Sequence, residues 1–194
     1  MRIVQGRRKF EKALEGMLSD DALLAPGRLR DLLIDMRAEW IALDRRIDAL
    51  DQEFAQLARS DEVARRVTSI PGVGALNATA LAAAGRAEAF DHARDLGAWL
   101  GLVPRQHTTG GRPRLLGISK HGNTYLRTLL IHDARAALPS LAKADTALGA
   151  WLRGLQARCH PNTVVVALAN KLARIAWVLM RRETVFSTER AATA

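Results

Sequence analysis

Large apolar residues recur every seven positions between residues 29 and 57: Leu29, Met36, Leu43, Leu50 and Leu57 form one series, and Leu33, Trp40, Ile47 and Phe54 an interleaved second. No other feature restricts the fold as strongly. Two such series lie along one face of a long α-helix, and that seam has to be covered by another helix. Arg37, Glu39, Asp44, Arg46, Asp51 and Glu53 fill the flanking positions, as a water-facing coiled coil requires. Pro26 and Gly27 precede the repeat, where a helix begins afresh after a break. The pattern predicts a coiled-coil helix over residues 26–61, preceded by an N-terminal helical segment over residues 1–25. Trp40 and Phe54 are bulky for a parallel two-stranded seam. Antiparallel pairing in a homodimer and packing on the chain's own N-terminal helix are both open.

Beyond Asp61 the pattern changes to shorter helices punctuated by glycine, read as a compact domain over residues 62–187 with a disordered tail at 188–194. Val63, Val67 and Ile70 share one helical face, PGVG (Pro71 to Gly74) interrupts it, and ALNATALAAAG resumes a helix ending at Gly85. Two helices joined by a glycine turn make a helix-hairpin-helix candidate. Its Gly72, Val73 and Gly74 would let backbone N–H groups approach a phosphate, and the alternative is an ordinary turn between packed helices. Asp91 is placed to cap a helix through Leu96, Trp99 and Leu100. Helical spacing returns at Leu126, Leu129 and Leu130, and a final helix is expected from about Thr163 to Arg182, carrying Val164, Leu168, Leu172, Ile175 and Leu179 as its apolar stripe. Trp151 and Trp177 read as core. With no alternating strand pattern of useful length, the fold class is mainly α: a long coiled-coil helix, then a compact helical domain with a helix-hairpin-helix-like unit and a Gly/Arg-rich loop.

Charge is divided unevenly along the chain. Residues 1–62 carry 11 basic and 13 acidic side chains, net −2, whereas residues 63–194 carry 18 basic and 7 acidic, net +11. No carboxylate occurs from Leu96 to His132 or from Thr146 to Arg182. A polyanion is the natural partner of such a surface, because Lys and Arg gain affinity by releasing counterions from phosphates. The segment GLVPRQHTTGGRPRLLGISKHGN, residues 101–123, concentrates this charge among five glycines and two prolines and reads as a loop. Arg105, Arg112, Arg114 and Lys120 are its expected phosphate contacts, with Thr108, Thr109, Ser119 and Asn123 as hydrogen-bond donors and Arg127 on the helix that follows. It lacks the spacing of a Walker loop.

Several classes are disfavoured. The single Cys159 cannot form an internal disulfide, and no paired Cys/His spacing suggests a metal site. The seven acids after Glu62 are scattered, so a self-sufficient two-metal nuclease is not expected. The first residues do not resemble a signal peptide and the longest apolar run, Val164 to Ala169, is short of a bilayer span, so a cytoplasmic protein with no membrane partner is expected. The hydroxyls of Thr108, Thr109 and Ser119 lie near His107, Lys120 and His121 in sequence, but contact with phosphate ranks ahead of nucleophilic chemistry on that ground alone.

Four motifs then match a known group in order and spacing: IPGVG (Ile70 to Gly74), WLGLVPRQ (Trp99 to Gln106), GISKHGNTYLRTLLIH (Gly117 to His132) and HPNTVVVALANKLARIAWVL (His160 to Leu179). Together they resemble the C-terminal half of bacterial insertion-sequence transposases of the IS-one-ten family, related to the pilin-gene invertase. The likeness runs from VQGRRKFEKAL (Val4 to Leu14) to about Arg182. It implies a recombinase in which an N-terminal RuvC-like domain supplies a DEDD carboxylate set for Mg²⁺, and the C-terminal domain supplies a serine that attacks the DNA phosphodiester. It also implies a dimerising coiled coil, DNA as substrate and an element-encoded structured RNA as partner.

This sequence departs from that pattern twice. The resemblance places its first residue after the RuvC-like domain, so the four carboxylates are not expected here, no cofactor is expected in this chain, and Mg²⁺ is expected only with a RuvC-like domain. The family serine falls where Thr108 and Thr109 stand, and Thr109, next to Gly110, is favoured as its counterpart. A β-branched nucleophile is stiffer and more crowded than serine. The expected function is hydroxyl attack on DNA when completed by a RuvC-like domain. The alternatives are an inactive transposase remnant and a plain helix-hairpin-helix DNA-binding protein.

Overall fold

A computed structural model describes residues 7–20, 27–84 and 87–187. The expected tail at 188–194, Pro26 and Gly85 lie outside the described residues. The chain divides into two compact units, residues 1–50 and 51–194.

The first unit holds α1 (Arg7–Ser19) and most of α2 (Arg28–Ser60), a single 33-residue helix within the segment expected to form a coiled coil. Helix α1 folds back along α2. Phe10 meets Trp40 with ring centroids 5.8 Å apart, Glu15 pairs with Arg37 at 3.2 Å, and an Arg30 guanidinium N–H donates to the Leu18 carbonyl at 2.6 Å. Residues earlier in α1 meet residues later in α2, so the pair is antiparallel. Leu14 is buried.

The stripe α1 covers differs from the expected seam. Arg30, Leu33, Arg37, Trp40, Ile41 and Asp44 are half-buried, whereas Leu29, Met36, Leu43, Leu50 and Leu57, the whole first heptad series, are exposed. Only Leu33 and Trp40 belong to both sets. Polar contacts from Arg30 and Arg37 draw α1 to one side, and the leucine ridge is left facing outward.

In the second unit the core is formed by residues from Ala58 to Met180. Asp61 caps α3 (Glu62–Thr68), its carboxylate accepting from the Ala64 N–H at 2.7 Å. The turn at residues 69–74 leads to α4 (Ala75–Ala84), then a 3-10 turn (Ala87–Ala89) and α5 (Ala93–Trp99). His92, not Asp91, stands at the start of α5, with its own N–H held by the Asp95 carboxylate at 2.9 Å. A backbone donor met three residues on leaves Asp91 no capping role.

Helices α6 (Thr124–Lys143), α7 (Ala147–Gln156) and α8 (Pro161–Arg182) complete the unit. Helix α8 packs against α3, α5, α6 and α7, and its Val164, Leu168, Leu172, Ile175 and Leu179 are buried as their spacing predicts. By length and composition α8 is also apolar enough to cross a membrane, but 56% of its most apolar window is buried inside this protein. Trp177 lies half-buried against the core with its indole N–H on the Ala87 carbonyl at 3.1 Å.

One expectation of the sequence fails here. The segment read as a loop contains two strands, β1 (Pro104–Thr109) and β2 (Arg112–Ile118), paired antiparallel. Glycine and proline break central strands, yet Gly110 and Gly111 form the turn, Pro104 starts a strand, and Pro113 and Gly117 lie in a two-stranded ribbon whose outer edges need no partner. The fold remains mainly α.

Candidate nucleic-acid interface

The hairpin tip follows from two glycines. Gly110 and Gly111 have φ of 58° and 72°, the left-handed pair that a two-residue type I′ turn demands and that matches the twist of the flanking strands. Strand pairing then sorts the side chains. Thr109 stands opposite Arg112 and His107 opposite Arg114, while Thr108 stands opposite Pro113 and Gln106 opposite Leu115. Directly opposed residues share a face, and alternate residues of one strand do too. Arg105, His107, Thr109, Arg112 and Arg114 therefore occupy one face; Gln106, Thr108, Pro113 and Leu115 occupy the other. Consistently, the Gln106 side-chain amide donates to Thr108 Oγ1 at 3.3 Å.

Every strand residue is exposed except Ile118, which is half-buried at the root. An irregularity between Pro104 and Gln106 places an extra β2 residue there, and the register resumes at Pro104 opposite Ile118. This bulge strengthens the local twist.

The root is held by close backbone approach. A Cβ on Gly101 would collide with the His121 carbonyl oxygen, and one on Gly122 with that of Trp99. Buried Arg127 closes the same corner: its guanidinium donates to the carbonyls of Leu100 at 3.0 Å and His121 at 3.2 Å, and to Thr124 Oγ1 at 3.0 Å. The residues before β1 and after β2 are thus tied to the first turn of α6.

The sequence-predicted contacts consequently separate. Arg105, Arg112, Arg114 and Lys120 are exposed, and Lys120 is held at φ 58°, in the left-handed region. Ser119 is half-buried, with its N–H on the Val103 carbonyl at 2.8 Å. Asn123 caps α6, accepting from the Leu126 N–H at 3.0 Å. Arg127 is occupied inside the domain.

The helix-hairpin-helix-like turn is occupied as well. Val73 is buried in the core, and Gly72 lies so close to Ala137 that a Cβ there would strike it. The Gly74 N–H, the donor expected to meet a phosphate, is held by the Asp133 carboxylate at 3.0 Å. The same oxygen accepts from the Asn77 amide at 2.9 Å, so an anion from α6 fills the position. Sequence reasoning missed this clasp, although Asp133 stands out as the one carboxylate between Asp95 and Asp145.

Lys171 lies on α8 with its ammonium 5.5 Å from the centre of the Trp151 ring. Burial, and then the nearby Arg174 charge, lower its pKa below 10.5. Among the described residues no three His, Cys, Asp or Glu side chains gather in a way that could hold a metal ion.

Residues 64–147, from within α3 to the start of α7, match the family described as Transposase IS116/IS110/IS902. A protein of Pseudomonas aeruginosa named "Probable family 20 transposase" is 44% identical over 183 residues, covering 94% of this chain and 54% of that protein. The chain is similar to transposases of the IS116/IS110/IS902 family. Further similarity extends to the transposase for insertion sequence element IS1111A of Coxiella burnetii, 39% identical over 95% of this chain and 51% of that protein. The transposase for IS1328 of Yersinia enterocolitica is 42% identical over 84% of this chain and 49% of its own length. The chain spans about half the length of these curated relatives. The family match contains the hairpin, the Arg127 clamp and the Asp133 clasp together.

Proposed function

We propose that this chain is the DNA-contacting half of an insertion-sequence transposase and takes part in strand transfer when carboxylates from a RuvC-like domain complete the site. The observation that carries this reading is the exposed hairpin, which sets Thr109 on the same face as Arg105, Arg112 and Arg114. The arginines hold the DNA. Thr109 Oγ1 attacks phosphorus; the ester bond to one sugar oxygen breaks, and that oxygen leaves as a hydroxyl carrying the proton that threonine gives up. Thr108, on the opposite face, is left out of this step.

The residues described here do not fit a Mg²⁺ site, so no step is routed through the metal. It would belong with the RuvC-like carboxylates. A structured RNA partner and a homodimer through the exposed leucine ridge of α2 belong to the same proposal, as does action in the bacterial cytoplasm. The β-branch of Thr109 favours a second reading, a nucleic-acid-binding protein with no chemistry of its own.

Anisotropy titrations of the chain against duplex DNA across salt test the contact. Removing Arg105, Arg112 and Arg114 together is expected to weaken binding and to flatten the log–log salt slope; an unchanged slope removes the hairpin from the interface. With a RuvC-like partner supplied, Thr109→Ala is expected to abolish covalent joining and Thr109→Ser to retain or raise it. Joining that persists in Thr109→Ala assigns the chemistry elsewhere.

A further inference from the structure

We propose that the β1–β2 hairpin enters the major groove of B-form duplex DNA as a two-stranded ribbon, with its arginine face toward the base edges. This rests on the reading that the hairpin contacts DNA, and it adds which form of nucleic acid and which groove.

The first support is that both faces of the ribbon stand in solvent. An isolated hairpin is marginal in water, so one projecting from a packed domain is suited to a partner that surrounds it. A second protein strand fits poorly. Pro113 lacks an N–H and the bulge near the root twists the ribbon, both of which discourage edge-to-edge pairing. An apolar protein surface fits poorly too, because one face carries three arginines and a histidine.

Shape and charge favour the groove. The major groove of B-DNA is about 12 Å wide and admits a two-stranded ribbon, whereas the deep, narrow major groove of A-form RNA does not. Six to seven residues per strand extend roughly 20 Å at about 3.3 Å per residue, which exceeds the groove's depth of about 8.5 Å. The tip has no side chains, because it is Gly110 and Gly111, and can pass between phosphates. Behind it, Arg112 and Arg114 stand two residues apart on one face. Two guanidiniums at that spacing can each donate two N–H bonds to guanine O6 and N7, acceptors displayed in the major groove.

The test compares the full chain on three probes of one guanine- and cytosine-containing sequence. They are plain duplex DNA, the same duplex with glucosylated 5-hydroxymethylcytosine, whose sugars fill the major groove and leave the phosphates intact, and the corresponding RNA duplex. Binding to the glucosylated duplex is expected to fall about tenfold or more, and binding to the RNA duplex to be weaker than to plain DNA. Arg112→Ala with Arg114→Ala is expected to erase the difference between the two DNA probes, with circular dichroism confirming an unchanged helical fold.

Equal affinity for plain and glucosylated duplexes, with arginine dependence kept, would overturn the groove assignment and leave the DNA-contact reading standing. A preference for the RNA duplex also overturns it. Binding that ignores the arginines, or no binding to any probe, overturns both.

Discussion

Arg127 donates to Leu100, His121 and Thr124 from inside the helical domain, whereas Arg112 and Arg114 carry the same guanidinium into solvent. The contrast separates stability from binding at single residues. Arg127→Ala is expected to cost about 2–3 kcal/mol, because buried carbonyls lose their donor; urea unfolding checks this. The folded fraction should keep its salt slope on DNA. Asp133→Ala is expected to cost about 1–2 kcal/mol by freeing the Gly74 N–H and the almost fully buried Asn77 amide. A loss of stability without a change in salt slope would mark the glycine turn as a clasp between α4 and α6. Lys171 supplies a pH dependence. Its pKa is lowered in the folded state, so between that value and 10.5 the unfolded chain binds more protons and stability rises with pH. Lys171→Met should abolish that alkaline gain in urea midpoints measured between neutral pH and pH 10.5.

The hairpin is an element in which sequence and structure diverge for a definable reason. Its R-x-H-x-T and R-x-R alternations were present to be read, but charged and polar residues on both faces mimic a loop when strands are sought by their apolar side. Only pairing across the Gly110–Gly111 turn reveals which residues share a face. Replacing Gly111 by valine is expected to disfavour the turn, since a β-branched residue resists positive φ. DNA affinity should fall while the helical circular dichroism signal holds. In α2 the heptads foretold a long amphipathic helix correctly, yet the antiparallel helix α1 took a neighbouring stripe. The uncovered Leu43 and Ile47 should therefore govern self-association. Leu43→Glu with Ile47→Glu is expected to halve the particle mass in sedimentation if the leucine ridge joins two copies; an unchanged mass excludes that role.

For the molecule as a whole, the core cluster begins at Ala58, and the contacts that hold the hairpin root, the glycine clasp and α8 all lie beyond residue 50. Periodicity determined the long α2, the final helix α8 and the mainly helical class, and composition the concentration of positive charge after residue 62. These are local or additive properties, carried by residues a turn or two apart and by simple sums. Tertiary structure decided that Asp133 reaches Gly74 across 59 positions, that Arg127 reaches Leu100 across 27, and that Thr109 rather than Thr108 shares a face with the arginines. Each depends on which distant group can reach a donor or acceptor in the folded chain. A buried guanidinium or an anion-filled turn is stable only once its partner has been brought there, and spacing along the sequence does not encode that meeting.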